Sequence, residues 1–127
     1  MERPSGMLGI RHVALFVSDL DAALRFYRDI LGMTVDWQPD PDNVYLTFGR
    51  DNLALHRAQP DAIAAWKAQR LDHFGLALRD MADVDRWAAY LRSCGIALHK
   101  DPKTHRDGSR SFYVADPDGN VIQFIWY

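Results

Sequence analysis

The chain contains short runs of apolar residues that are each followed by apolar residues at helical spacing. In residues 12–19 and again in residues 73–80, a histidine begins a largely apolar run that ends at an aspartate. Such a run is typical of a β-strand, and the aspartate is typical of a helix N-cap. Apolar residues at helical spacing follow at 20–31 and 84–91. Each helix is expected to stop at a glycine, Gly32 or Gly95.

The two strand–helix segments repeat each other at a constant offset of 61 residues, which pairs His12 with His73. Three strand-like runs separated by turns follow each helix, at 34–37, 44–48 and 53–56 and at 97–99, 111–115 and 121–126. The order predicts an α+β fold of two tandem βαβββ modules that form a cupped mixed sheet with helices on the convex side. We expect one domain, residues 1–127, with modules at 8–57 and 72–127 and a linker at 58–71 that begins a short helix at Pro60.

Strand alternation places the first histidine of each module on one face with small residues. Side chains two apart on a strand share a face, so His12 lies with Ala14 and Phe16, away from the bulkier aliphatic residues. The aliphatic face is expected to pack on the helices. The face with the histidine is expected to line a concavity.

The last strands of the two modules carry a second pair of candidate ligands. An alignment of Asp51 with Asp118, at an offset of 67, pairs His56 with Gln123. With the two histidines of the first strands, we expect four donors at equivalent positions to converge on one cleft. Three imidazoles and an amide oxygen suit a divalent transition metal. The alternative is that each is an ordinary hydrogen-bonded residue of a sheet.

A polar loop precedes the strand that holds Tyr113, and it contains Arg106. This loop binds an oxyanion in one interpretation and is a solvated hairpin turn in the other. Tyr113 shares a face with Ser111. It is either a hydrogen-bond donor or acid in the cleft, or an ordinary aromatic residue of a strand.

The charge balance excludes several classes of partner. Fifteen Lys and Arg residues against seventeen Asp and Glu give a net charge of −2, and no basic run indicates nucleic acid binding. No uncharged apolar stretch approaches the length that spans a bilayer, so we expect no membrane segment. The first residues lack the apolar core of a signal peptide, and the expected compartment is the cytoplasm.

The motifs of both modules closely resemble the vicinal oxygen chelate superfamily. The resemblance rests on the residues from His12 to Leu15, from Phe26 to Gly32, and from Ser111 to Gln123, and it covers nearly the whole chain. That superfamily includes glyoxalase I, extradiol dioxygenases, and fosfomycin- and bleomycin-resistance proteins. The resemblance implies paired βαβββ modules whose strands cup a metal. It also implies a homodimer, for which Trp66, Trp126 and Tyr127 offer apolar surface.

The resemblance also implies roles for individual residues. Metal-dependent members take a histidine from the first strand of each module, which matches His12 and His73. They usually take a glutamate from the last strand of the second module, where this chain has Gln123. Glyoxalase-like members have a further glutamate where this chain has His56. Fosfomycin-resistance members have a serine and a tyrosine where this chain has Ser111 and Tyr113.

The sequence therefore predicts a metal-dependent enzyme that acts on a small, oxygen-rich substrate, with the metal as a Lewis acid. The metal would be iron, manganese, nickel or zinc, bound by His12, His56, His73 and Gln123. Tyr113 would be catalytic, and Arg106, Ser111 and Tyr113 would contact the substrate. One alternative is a metal-free protein that binds an antibiotic or a metabolite. The other is an extradiol dioxygenase, against which the neutral amide of Gln123 counts.

Overall fold

Each half of the chain forms a strand, a helix and three further strands, as the sequence predicts. The computed structural model describes Ser5, residues 10–64, Leu71 and residues 73–127. The strands are β1 His12–Val17, β2 Thr34–Asp40, β3 Asn43–Thr47, β4 Asn52–Arg57, β5 Phe74–Ala77, β6 Leu98–Thr104, β7 Arg110–Ala115 and β8 Val121–Trp126. The helices are α1 Leu20–Leu24, continued by a π-helix at Arg25–Ile30, then α2 Pro60–Ala64 and α3 Met81–Ser93.

The strands form two four-stranded mixed sheets of the same topology. Their orders are β1-β4-β3-β2 and β5-β8-β7-β6, with the first pair parallel in each sheet and the other pairs antiparallel. The edge strands β2 and β6 run further than predicted, through Pro39 and Pro102. Proline has no backbone N–H to donate. Because β2 and β6 lie at the sheet edges and pair irregularly with their neighbours, the prolines interrupt no hydrogen bond between inner strands.

Both predicted helix stops are confirmed, but only one of the two predicted caps is. The carboxylate of Asp19 accepts a hydrogen bond from the N–H of Ala22 at 3.0 Å. Asp80 occupies the N-cap position of α3, but its side chain makes no capping bond. Gly32 and Gly95 follow the helices with φ of 86° and 79°, the left-handed conformation that glycine adopts without strain.

Burial follows the predicted alternation and divides each sheet into two faces. In β1, Leu15 and Val17 are buried, whereas His12, Ala14 and Phe16 are exposed. The buried faces of both sheets and the helices that cover them form one apolar core, which includes the fully buried Phe112 and Phe124 of the second sheet. We call the uncovered face of each sheet its inner face. None of the described helices has the length and apolarity needed to cross a membrane.

A buried hydrogen bond joins the two modules. The hydroxyl of Tyr27, in the π-helical segment, donates to the carboxylate of Asp116 at 2.8 Å. The same carboxylate accepts bonds from the side chain and backbone of Asn120. Burial, and then the charge of Asp116, raise the pKa of the Tyr27 hydroxyl well above its usual range. The phenol therefore stays neutral in the folded protein.

Tyr27→Phe is expected to lower the free energy of unfolding by roughly 1–2 kcal/mol at neutral pH, because a buried carboxylate loses one donor. Since the folded pKa of Tyr27 is raised, the unfolded chain releases this proton first. The wild type therefore loses stability as the pH rises above about 10, and the variant lacks this loss. Urea unfolding at neutral and alkaline pH measures both effects. A stability difference that does not narrow at alkaline pH would contradict the linkage.

Candidate functional site

His12 lies at the start of β1 on the inner face of the first sheet, with its ring orientation fixed. Its Nδ1 lies 2.7 Å from Oδ1 of Asn52, the residue that pairs with it on β4. An amide oxygen only accepts, so Nδ1 carries the proton and Nε2 presents a lone pair. Metal-binding histidines are held by an outer partner in the same way.

His73 and Gln123 lie close together on the inner face of the second sheet. Gly75 pairs with Gln123 across β5 and β8, so His73 is two residues, roughly 7 Å, away along the strands. The amide lies beside Gly75, and its Oε1 is 4.0 Å from the position that a Cβ of residue 75 would occupy. The His73 ring also meets the ring of Tyr113 edge-on, with centroids 5.4 Å apart.

A buried serine sets the orientation of Gln123. The Nε2 of Gln123 donates to the hydroxyl of Ser111 at 3.1 Å, and Nε2 of His105 lies 2.7 Å from the same hydroxyl. With its nitrogen bonded to Ser111, the amide turns its oxygen toward Gly75 of β5. Ser111 is 1% exposed and does not line the cavity described below. The hydroxyl of Ser111 is bonded to both Gln123 and His105, and the substrate contact of Ser111 stays a prediction.

The predicted equivalence of His56 and Gln123 is wrong, because the strand register differs from the alignment of the turns. The first strands align at an offset of 61, and Val13 pairs with Leu53 while Phe74 pairs with Ile122. The last strands therefore align at an offset of 69, which is 122 − 53, and not at 67. Gln123 consequently corresponds to an alanine of β4, two residues before His56.

The shift of two residues follows from the turns that precede the last strands. Asp51 directly precedes β4, and its carboxylate accepts the N–H of Phe48. Asp118 lies in the middle of the turn between β7 and β8, where its carboxylate accepts the N–H and hydroxyl of Ser18. The two aspartates therefore stand at different distances from their strands and are not equivalent.

The register separates His56 from His12. His56 pairs with Phe16, four residues after His12 and hence about 13 Å away along the sheet. Its Nδ1 is bonded to Oδ1 of Asn43 at 2.6 Å. His56 is therefore not at the metal-ligand position that the sequence predicts for it.

The expected convergence of three imidazoles within one chain is not found. Across residues 10–64 and 73–127, no three His, Cys, Asp or Glu side chains lie close enough to hold one metal ion. His12 begins β1 of the first sheet, and His73 directly precedes β5 of the second sheet. The structure thus brings together His73, Gln123 and Tyr113, and leaves His12 and His56 on the other inner face.

Two cavities meet at Gln123. One, of about 610 Å³, is lined by Tyr113, Lys103 and Arg106 among others. The second, of about 520 Å³, contains His73. Ile125 also lines both of them. Their sizes lie in the range of small-molecule sites.

The first cavity has a positive lining. Lys103 and Arg106 form no ion pair with another described residue, and the ammonium of Lys100 lies 5.2 Å from the centroid of the Tyr113 ring. Asp107 contributes a negative charge to the lining of the same cavity. Hydrogen bonds from Ser109 hold the pKa of the Asp107 carboxyl below its usual range. The lysines and the two asparagines beside the histidines were not predicted as site residues. Only the strand register reveals that they lie there.

Three comparisons with known proteins agree with this fold. The metallothiol transferase FosB of Staphylococcus epidermidis is 26% identical over 116 residues, which cover 90% of this chain and 78% of that protein. The biphenyl-2,3-diol 1,2-dioxygenase of Metapseudomonas furukawaii is 30% identical over 128 residues, 96% of this chain but 41% of that protein. The crystal structure of lactoylglutathione lyase from Agrobacterium tumefaciens superposes with a TM-score of 0.77 at 27% identity and covers 96% of both chains.

Residues 9–124 match the family described as the Glyoxalase/Bleomycin resistance protein/Dioxygenase superfamily. This match spans both βαβββ modules and includes His12, His73 and Gln123. It agrees with the resemblance that the sequence motifs indicate. The chain therefore belongs to the glyoxalase/bleomycin resistance protein/dioxygenase superfamily.

Proposed function

We propose that this protein is a metal-dependent enzyme that acts on a small, oxygen-rich substrate, with His12, His73 and Gln123 as the metal ligands. The observation that carries the proposal is the arrangement on the second sheet. His73 and Gln123 share an inner face two residues apart, and the amide oxygen is turned toward β5 by the bond to Ser111. His56, which the register separates from His12, is left out of this set.

The donor set fits a divalent metal. Imidazole nitrogen and amide oxygen are ligands that iron, manganese, nickel and zinc accept. Nε2 of His12 presents a lone pair because Asn52 accepts the proton on Nδ1. All three donors are neutral, and a bound ion would keep its full charge and act as a Lewis acid on vicinal substrate oxygens.

Because His12 and His73 belong to different sheets, we propose that a second copy of the chain completes the site. In such a homodimer, the inner face of the first module would meet the inner face of the second module of the other copy. Exposed apolar side chains support this arrangement, since Phe16 on the first inner face is 66% exposed, and Ile10 before β1 and Tyr127 after β8 are 91% and 82% exposed.

The substrate would occupy the cavity beside Gln123. Lys103 and Arg106 give it a positive lining that suits carboxylate, phosphate or other anionic oxygens. Tyr113 lines the same cavity and would donate its hydroxyl proton as a hydrogen bond to a substrate oxygen that gains charge. Ser111 and His105 would act indirectly, by holding the amide of Gln123 in place.

Metal affinity tests the proposal. After removal of metals with a chelator, calorimetric titration with Ni²⁺ or Zn²⁺ is expected to give one ion per chain. His73→Ala is expected to weaken binding by about 100-fold or more, because an inner ligand is lost. His56→Ala is the matched control and is expected to bind as the wild type does. Full metal affinity in the His73 variant would overturn the proposal.

A metal-free binding protein is the second candidate, and the neutral Gln123 in the place of a glutamate favours it. Two adjacent cavities of small-molecule size would serve such a role equally well. A wild type that takes up no divalent metal but binds anionic small molecules would establish this alternative. Extradiol cleavage, the choice among the four metals, the homodimer and the cytoplasmic location stay predictions.

A further inference from the structure

A chain of hydrogen bonds links the loop before β7 to the cavity wall at Gln123. Nε2 of His105 lies 2.7 Å from the hydroxyl oxygen of Ser111, and that oxygen accepts a bond from Nε2 of Gln123 at 3.1 Å. We call His105, Ser111 and Gln123 the relay. Because the amide nitrogen is bonded to Ser111, the amide oxygen is the end that lies beside Gly75, in the wall of the cavity that contains His73.

The backbone of the loop between β6 and β7 holds His105 in place. The N–H of His105 donates to the carbonyl of Ser109 at 2.7 Å, and the carbonyl of His105 accepts the N–H of Gly108 at 3.0 Å. Asp107 accepts two further bonds, from the N–H and the hydroxyl of Ser109. The polar loop thus has the form of a hairpin turn whose bonds position the imidazole of its first residue beside Ser111.

The relay has a direction, because the hydroxyl of Ser111 has a single proton to donate. Its oxygen accepts from the amide of Gln123, so its proton bonds to the second partner, Nε2 of His105. Nε2 therefore offers a lone pair, and Nδ1 of His105 carries the ring proton. Ser111 is 1% exposed, so these two protein partners determine where its proton lies.

The opposite direction would also satisfy every partner, and the group at position 105 distinguishes the two. If Nε2 of His105 carried the proton, it would donate to Ser111, and Ser111 would donate to the amide oxygen of Gln123. The amide would then be inverted, with its NH2 group beside Gly75. An acceptor at position 105 therefore gives the cavity wall an oxygen, whereas a donor there gives it an NH2 group.

We propose that His105 is a specificity-determining residue, which acts through Ser111 to make Gln123 present its oxygen. This oxygen accepts a metal ion or an N–H or O–H group of a ligand, whereas an NH2 group in its place would repel a metal ion and attract an anionic oxygen. Anionic groups of a ligand are thereby directed to the adjacent, positively lined cavity. The direction of the relay does not require a bound metal, but its effect on metal affinity rests on the proposed function.

NMR on the full chain, after removal of metals with a chelator, tests the direction of the relay. At about pH 8, where histidine side chains are usually neutral, long-range nitrogen–proton spectra are expected to show the ring proton of His105 on Nδ1. The amide protons of Gln123 are expected to give nuclear Overhauser contacts with the β-protons of Ser111 and not with the α-protons of Gly75. A proton on Nε2 of His105, or amide contacts with Gly75, would overturn the proposal.

Variants at both ends of the relay are expected to reverse it. His105→Lys offers only donors to Ser111, so the amide should invert and its protons should contact Gly75. Gln123→Glu offers only acceptors, so the ring proton of His105 should move from Nδ1 to Nε2. His99→Lys, which places the same charge at an exposed position of β6, is the matched control and should change neither signal. Unchanged amide contacts in His105→Lys, or a proton that stays on Nδ1 in Gln123→Glu, would contradict the relay.

Metal titration connects the relay to the proposed function. His105→Leu removes the acceptor without adding a charge, and it is expected to weaken Ni²⁺ binding about tenfold, because the oxygen of Gln123 is no longer held toward the metal. His99→Leu is the matched control and is expected to bind as the wild type does. If the wild type binds no Ni²⁺, the proposed function fails while the NMR result still decides the direction of the relay. If the wild type and His105→Leu bind Ni²⁺ equally, His105 does not determine what Gln123 presents, and the proposal is wrong.

Discussion

Replacing Gln123 with glutamate is expected to raise the affinity of the proposed site for a divalent metal by about 100-fold. The amide oxygen of Gln123 is neutral, and a carboxylate in its place adds a full charge beside the ion. Attraction between unit charges at about 4 Å is worth about 4 kcal/mol at an effective dielectric constant of 20, and desolvation of the carboxylate offsets part of it. The remainder of about 2–3 kcal/mol corresponds to the expected factor.

The surroundings of Gln123 accept this change. Ser111 now accepts a hydrogen bond from the amide nitrogen, but its hydroxyl can rotate and donate to a carboxylate oxygen instead. The positive lining of the adjacent cavity, from Lys103 and Arg106, also favours an added negative charge. Two histidines and a carboxylate form the set that suits ferrous iron, so Gln123→Glu is expected to gain most for that ion.

Calorimetry on metal-free protein measures the effect for Fe²⁺ under anaerobic conditions and for Zn²⁺ in air. Gln123→Leu is the matched control, because it keeps a similar volume and removes the donor oxygen. The order of affinity is expected to be Glu, then Gln, then Leu at position 123. If the glutamate variant binds no better than the parent protein, Gln123 is not a metal ligand.

The alternation of side chains on the strands was predictable because it is local. A strand exposes every second residue to one face, so the exposed His12, Ala14 and Phe16 and the buried Leu15 and Val17 follow from their spacing alone. The helix stops were predictable for the same reason, since the left-handed conformation at each stop is one that glycine readily adopts. Neither inference depends on how the modules meet.

The position of one strand along another was not predictable in the same way. The alignment of Asp51 with Asp118 used two similar turns, but one turn places its aspartate next to the strand and the other places it mid-turn. A shift of two residues keeps the face and changes the position by roughly 7 Å. For that reason His56 was correctly placed on the inner face and wrongly paired with Gln123.

The hydrogen-bond partners of the histidines on other strands could not be predicted from the sequence, for a related reason. The bonds of His12 to Asn52 and of His56 to Asn43 each connect different strands, and they depend on pairing that no single segment specifies. The separation of His12 from His73 depends on how whole sheets are arranged. Repeated motifs predict that two modules are alike, but they do not determine whether one chain brings both inner faces together.

If a second copy completes the site, mixing two variants that have each lost metal binding is expected to restore part of that binding. His12→Ala removes the ligand from the first module, and His73→Ala removes the ligand from the second. In a mixed dimer, one cleft lacks both ligands and the other cleft lacks neither. Random exchange of equal amounts gives about half mixed dimers, so about a quarter of the clefts should regain wild-type affinity.

The experiment unfolds the two variants together, refolds them, and measures bound metal per chain by elemental analysis after removal of free ions. A mixture of His73→Ala with Gln123→Leu is the matched control. Both of these changes lie in the second module, so every cleft of a mixed dimer keeps one defect and no recovery is expected. Recovery in the first mixture alone would establish that each cleft combines modules from two chains. If neither mixture recovers although each variant has lost its metal, the ligands must come from one chain, and the arrangement of two facing copies is wrong.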